Sequence, residues 1–144
     1  MDISIYYEDT DCGGVVYYAN YLKYFERART EFLEASRFPL IKLMEEGFIF
    51  TVVQCEIFYR SPARYRDTLQ IETHLTEVTR TVLTFRYCIR EKKSERLVVE
   101  GITKLVCVGL NGKVKRLRQE QVDKLTSAQT ILSVKKGSEA RPQP

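Results

Sequence analysis

The chain has 144 residues, of which 44% are hydrophobic, and a formal net charge of +4. This is the size of one ordinary domain with enough apolar content for a single core, which sets aside disorder and a multidomain build. No apolar run is long enough to span a bilayer, no basic-then-apolar leader opens the chain and no basic-aromatic nucleic-acid module is visible, so the reading is a cytoplasmic protein with no transmembrane segment and no nucleic-acid partner.

Ile3, Ile5 and Tyr7 alternate with Ser4 and Tyr6, which predicts a short first strand. An acidic turn with two adjacent glycines follows. From about Ala19 to Ala35 the spacing is helical: Tyr21, Phe25, Ala28, Phe32 and Ala35 recur every three or four residues, with Leu22 and Leu33 widening the stripe. Asn20 is a candidate N-cap, with Tyr18 or Ala19 as other openings. Pro39 stands near the start of a short second helix that Gly47 ends. The second half reads as strands. Ile49, Val53, Cys55, Ile57 and Tyr59 are expected on one face of the first, and Arg60-Ser61-Pro62-Ala63-Arg64 breaks it. Leu69 to Leu75 and Leu83 to Ile89 alternate cleanly, and a last long strand runs from about Leu97 to Val108 before the Asn111-Gly112 turn. A short helix is expected over 120–125, then a polar tail over 127–144 whose last ten or so residues are loose. One early amphipathic helix and several late strands joined by short turns give an α+β domain over 1–126, an antiparallel β-sheet wrapped around one long central helix.

Four cysteines without a Cys-x-x-Cys pair, and a single histidine, His74, make a zinc site or a histidine-based hydrolase a poor fit. No metal and no separate cofactor are expected. The chemistry-bearing stretch is Tyr6-Tyr7-Glu8-Asp9-Thr10-Asp11-Cys12-Gly13-Gly14-Val15-Val16-Tyr17-Tyr18-Ala19-Asn20-Tyr21. It sets carboxylates, then a glycine pair that permits positive φ or close approach to a ligand, before the mouth of a helix with unpaired N–H groups and a positive dipole end. One segment thereby offers both a base or nucleophile and an electrophilic backbone hole. Asp9 reads as a turn residue, Cys12 as a small side chain beside Asp11, and His74 as a surface or interface residue. Tyr17, Tyr21, Tyr24 and Phe25 read as core or interface contacts.

That motif, with Leu22, Glu26-Arg27-Ala28-Arg29, Ser61-Pro62-Ala63, Asp67 and Arg116-Leu117-Arg118, resembles the hotdog-fold acyl-CoA thioesterases over roughly residues 2 to 126. The resemblance is to the 4-hydroxybenzoyl-CoA thioesterase-like group that includes the Tol–Pal-associated (YbgC-type) enzymes. It implies that Asp11 is the catalytic carboxylate and that the backbone N–H of Tyr18 polarises the thioester carbonyl. Tyr18 stands where the Tol–Pal-associated branch usually has histidine, and tyrosine there is closer to the hydroxybenzoyl-CoA enzymes. The resemblance also implies a homodimer or homotetramer with active sites between subunits. Arg80, Arg116 and Arg118 match points where family members contact the nucleotide. Gly13, Gly14, Ser61 and Arg64 complete the candidate substrate-binding set. The expected substrate is an acyl-CoA, with coenzyme A part of the substrate. An acyl chain on acyl carrier protein, or a non-catalytic acyl-CoA-binding module, are the alternatives. Asp11 acts either as nucleophile or as general base.

Overall fold

The computed structural model describes the backbone of residues 1–138 and the side chains through residue 129. In order, the elements are β1 (Asp2–Ser4), α1 (Asn20–Ala35), α2 (Leu40–Glu45), β2 (Ile49–Tyr59), β3 (Thr68–Val78), β4 (Val82–Glu91), β5 (Leu97–Val108) and α3 (Gln119–Ser138). The strands form one antiparallel sheet in the order β1-β3-β4-β5-β2. The three successive strands β3, β4 and β5 are neighbours, as short turns dictate. β2 joins β5 at the far edge, so Arg60–Asp67 crosses from one side of the sheet to the other. No helix among the described residues is long and apolar enough to cross a membrane.

α1 forms where the aromatic stripe predicted it and lies on the sheet through Tyr21, Tyr24, Phe25, Ala28, Phe32 and Leu33, all buried. Phe25 stacks flat on Tyr87 of β4, with ring centroids 4.3 Å apart and planes 10° from parallel. Its other neighbour is Gly101 of β5, where a side chain would collide with the Phe25 ring. Glycine is needed there for space, and its bare backbone lets the helix sit close. Leu22 and Ala35, expected on the buried stripe, are exposed because α1 covers β3 to β5 and leaves that flank open. α2 opens after Pro39 and ends at Gly47, whose φ of +84° is the left-handed stop that glycine adopts without strain.

Three expectations are corrected. The first strand stops at Ser4: Ile3 and Ile5 are buried, but Tyr7 opens a single 3-10 turn, Tyr7–Asp9, and is exposed. In β2, a bulge between Val52 and Gln54 inserts one residue and reverses the alternation. The face opposite Cys107, Leu105, Thr103, Gly101 and Val99 is therefore Phe50, Val52, Cys55, Ile57 and Tyr59, and Ile49 and Val53 leave it. The last helix runs on past 125 to Ser138, because Ala128 follows Leu125 by three residues and both are buried as α3 packs against β3. The expected loose end extends into 139–144, which lie outside the described residues.

Candidate active site

The motif folds into a small closed loop. The Asp11 N–H donates to the Val15 carbonyl at 2.8 Å, Thr10 and Val16 form an antiparallel bridge, and the Tyr17 N–H donates to the Asp9 carbonyl at 2.9 Å. Asp11 sits at the tip. One of its oxygens, Oδ1, accepts the Gly13 N–H at 2.8 Å and the Val15 N–H at 3.4 Å, closing an Asx-type turn over the glycines. Both bonds converge on that oxygen, which leaves Oδ2 for chemistry. Gly14 has φ +79° with open space where a side chain would stand, so the glycine pair serves the turn and keeps the approach to Asp11 clear. Asp9 behaves as the turn residue it was read to be: its Oδ2 accepts the Tyr6 N–H at 2.8 Å.

The same loop delivers the chain to the mouth of α1. No side chain caps this end. Asn20 is the first helical residue, and its amide turns back to donate to the Asp9 carbonyl at 2.9 Å, so it ties the helix to the acidic loop and does not cap. The Tyr18 N–H enters no backbone hydrogen bond among the described residues. It is a donor at the positive end of a 16-residue helix. On the sheet side the Tyr59 hydroxyl donates to the Tyr18 carbonyl at 3.0 Å, and the rings of Tyr17, Tyr18, Tyr21 and Tyr59 meet edge to face. Burial, reinforced by Tyr59, pushes the Tyr21 hydroxyl up to about 12, and burial raises Tyr59 as well. These hydroxyls stay protonated at neutral pH, and that of Tyr59 is a neutral donor.

A second loop braces the first. Val16 donates to the Ala63 carbonyl at 2.8 Å, and Val15 pairs with Arg64. Arg96 holds this loop by donating to the Ser61 hydroxyl at 2.6 Å and to the Pro62 carbonyl at 2.7 Å. The Ser61 hydroxyl itself donates to the Leu97 carbonyl, so it is committed to the loop. The loop that carries Ser61 and Arg64 thus lies against the loop that carries Asp11, Gly13 and Gly14 and leads to Tyr18. Arg80, Arg116 and Arg118 do not join them within one chain. Arg80 donates to the Leu117 carbonyl at 3.1 Å. Arg118 pairs with Glu46 at 2.9 Å and Glu120 at 3.1 Å, and its guanidinium and the Lys115 ammonium lie over the Phe48 ring. Arg118 borders Glu34, Arg37 and Phe38, at the far end of a helix about 24 Å long. Tyr59 and Arg96 were not singled out from the sequence. Nothing local marks them, since their partners lie 41 and 35 residues away.

Residues 13–98 match the thioesterase superfamily. The acyl-CoA thioester hydrolase YbgC of Escherichia coli O6:H1 is 42% identical over 106 residues, covering 74% of this chain and 78% of that protein. The acyl-CoA thioesterase YbgC of Haemophilus influenzae is 40% identical over 114 residues, covering 78% and 82%. Among solved structures, the hypothetical protein TT1821 of Thermus thermophilus superposes with a TM-score of 0.82 at 30% identity, over 89% of this chain and 97% of its own. An acidic loop closed onto an uncapped helix mouth, a sheet wrapped on that helix and these similarities agree: the chain belongs to the thioesterase superfamily.

Proposed function

We propose that this protein hydrolyses an acyl-CoA thioester to a carboxylic acid and free coenzyme A, in the cytoplasm and without a metal. The observation that carries the reading is the single loop that holds the Asp11 carboxylate, open at Oδ2, a few residues before the free Tyr18 N–H. Thioester cleavage needs those two elements: a group that delivers oxygen to the carbonyl carbon, and a donor for the oxyanion that develops. Asp11 attacks the carbonyl directly, giving a mixed anhydride that water then opens, or takes a proton from the water that attacks. In both routes the tetrahedral oxyanion rests against the Tyr18 N–H, and its collapse breaks the C–S bond and releases the coenzyme A thiolate. Gly13 and Gly14 let the thioester approach, and Arg64, whose backbone pairs with Val15 of the acidic loop, is a candidate for the coenzyme's charge.

The reading includes a second copy. β2 is an edge strand of 11 residues with exposed Val52, Val53, Phe58 and Tyr59. Long apolar edges are paired or covered in native proteins. Antiparallel pairing of two β2 strands about their midpoint sets the Tyr59 end of one beside the Ile49 end of the other. The Phe48, Lys115, Arg116 and Arg118 corner of the second copy then stands next to Tyr18 and Ser61. Arg116 and Arg118 meet the nucleotide across that interface, and the assembly is a homodimer or a pair of homodimers.

The test is a thiol-release screen of short, long and aromatic acyl-CoAs with the parent and Asp11→Asn. Turnover by the parent and its loss in the folded variant support the reading. No turnover across the panel refutes it and favours a binding module.

A further inference from the structure

The hydrolase reading leaves the acyl group unspecified, and one cavity bears on it. A space of about 280 Å³ lies between α1, α2 and the near ends of β2, β4 and β5. Nine of its twelve lining residues are apolar, and its floor is Leu83, Phe85 and Leu105, all buried. The polar lining residues, Glu26, Arg29 and Thr30, are all on α1. They continue a line along one face of that helix from Tyr18: Leu22, Glu26, Arg29 and Leu33 recur at three- and four-residue steps. The inner face of β2 runs opposite them. Tyr59 touches Tyr18 at one end, the charge of Arg29 reaches Cys55 midway, and Phe50 meets the cavity with Leu33 at the other end. Leu22, Val52, Cys55 and Tyr59 are exposed, so this channel is open in the single chain.

Resting on the reading that Tyr18 marks the thioester, we propose that this cavity receives the far end of a linear aliphatic acyl chain, making the protein a medium- to long-chain acyl-CoA hydrolase. Glu26 lies about 10 Å and Leu33 about 21 Å along the helix axis from Ala19, a span that an extended chain of roughly eight to sixteen carbons covers. An apolar cavity favours methylene groups over water. A hydroxybenzoyl group is too short to pass Glu26 and leaves the apolar floor unfilled. Met44, on the rim and exposed, is a flexible thioether suited to closing over chains of different length.

Each buried methylene is worth about fourfold in binding, so kcat/KM for decanoyl-CoA should exceed that for butyryl-CoA by at least about 100-fold, and that for hydroxybenzoyl-CoA also. Met44→Trp fills the rim from an exposed position and should cut the decanoyl-to-butyryl ratio at least tenfold. Phe50→Ala should move the optimum to longer chains. The non-hydrolysable thioether S-decyl-CoA, followed by calorimetry, should bind more tightly than CoA and at least tenfold more weakly to Met44→Trp. Equal rates on butyryl- and decanoyl-CoA overturn the proposal, as does a Met44→Trp variant whose ratio and thioether affinity match the parent. If no thioester is turned over but S-decyl-CoA binds and Met44→Trp weakens it, the cavity assignment stands and the hydrolase reading falls.

Discussion

Asp11→Asn separates chemistry from architecture at this site. The two bonds that hold the turn, from Gly13 at 2.8 Å and Val15 at 3.4 Å, end on Oδ1. An asparagine carbonyl oxygen can accept both. What the fold loses is the extra strength of hydrogen bonds to a charged oxygen, about 1 kcal/mol, or roughly 3 °C in Tm for a domain of this size. What catalysis loses is larger. Asn offers neither a nucleophilic oxygen nor a base, and a positioned acid–base group contributes at least ~100-fold, about 2.7 kcal/mol of barrier. Steady-state thiol release, KM and Tm measured together should show kcat falling at least ~100-fold while KM and Tm stay near the parent. Asp11→Ala removes the acceptor as well and should add a loss of stability. Single turnover of the parent in oxygen-labelled water tests the nucleophilic route: an Asp11 anhydride that water opens at the Asp11 carbonyl carbon puts Asp11's own unlabelled oxygen into the first acid released. An Asp11→Asn enzyme that folds, binds and turns over like the parent would refute the catalytic role and take the hydrolase reading with it.

Three further outcomes are expected. Gly101→Ala drives a methyl group into the Phe25 ring and should cost about 1–3 kcal/mol, lowering Tm by roughly 3–9 °C; an unchanged Tm would mean the stack on Tyr87 is loose. Tyr59→Phe deletes only the hydroxyl that holds the Tyr18 carbonyl, so kcat should fall about 2- to 10-fold with KM little changed, and equal kcat would show that the helix mouth needs no such brace. Val53→Lys puts a charge at the exposed bulge of β2 and should turn a dimer or tetramer into a monomer by light scattering, with activity lost in parallel; a monomeric parent would contradict the interface reading.

What could be read from the sequence was what local spacing encodes. The stripe of Tyr21, Phe25, Ala28 and Phe32 has one helical solution, and residues 69–75, 83–89 and 99–107 alternate without interruption, so α1 and the sheet's centre were legible. Asp11, the glycine pair and Tyr18 are neighbours along the chain, and the loop that joins them is built from their own backbone. Misreadings arose where an inserted residue or a distant partner decides. The β2 bulge swapped the strand's faces because alternation assumes an unbroken ladder. Asn20 has the residue type of an N-cap, yet the Asp9 carbonyl competes for its amide. The polar residues after Thr126 hid a helix whose described part docks through Val122, Leu125 and Ala128. Gly101 reads as a weak strand residue until Phe25 is seen against it.

The exposure of the site bears on assembly. Asp11 and Tyr18 are both exposed in the single chain, and Tyr18 retains 61% of its accessible surface. A backbone donor stabilises an oxyanion strongly only where water is excluded and the dielectric is low. The groups proposed for catalysis therefore need a cover that the described residues do not supply. The nearest uncovered apolar surface is the inner face and edge of β2, which reaches Tyr18 through Tyr59. One surface that must be paired and one site that must be dried lie side by side, and a second copy docked on β2 meets both needs at once. The arginines at the far end of α1 fit the same geometry. If the proposed antiparallel dimer forms, Arg116 and Arg118 of one copy serve the Asp11 of the other, so assembly and turnover should rise and fall together.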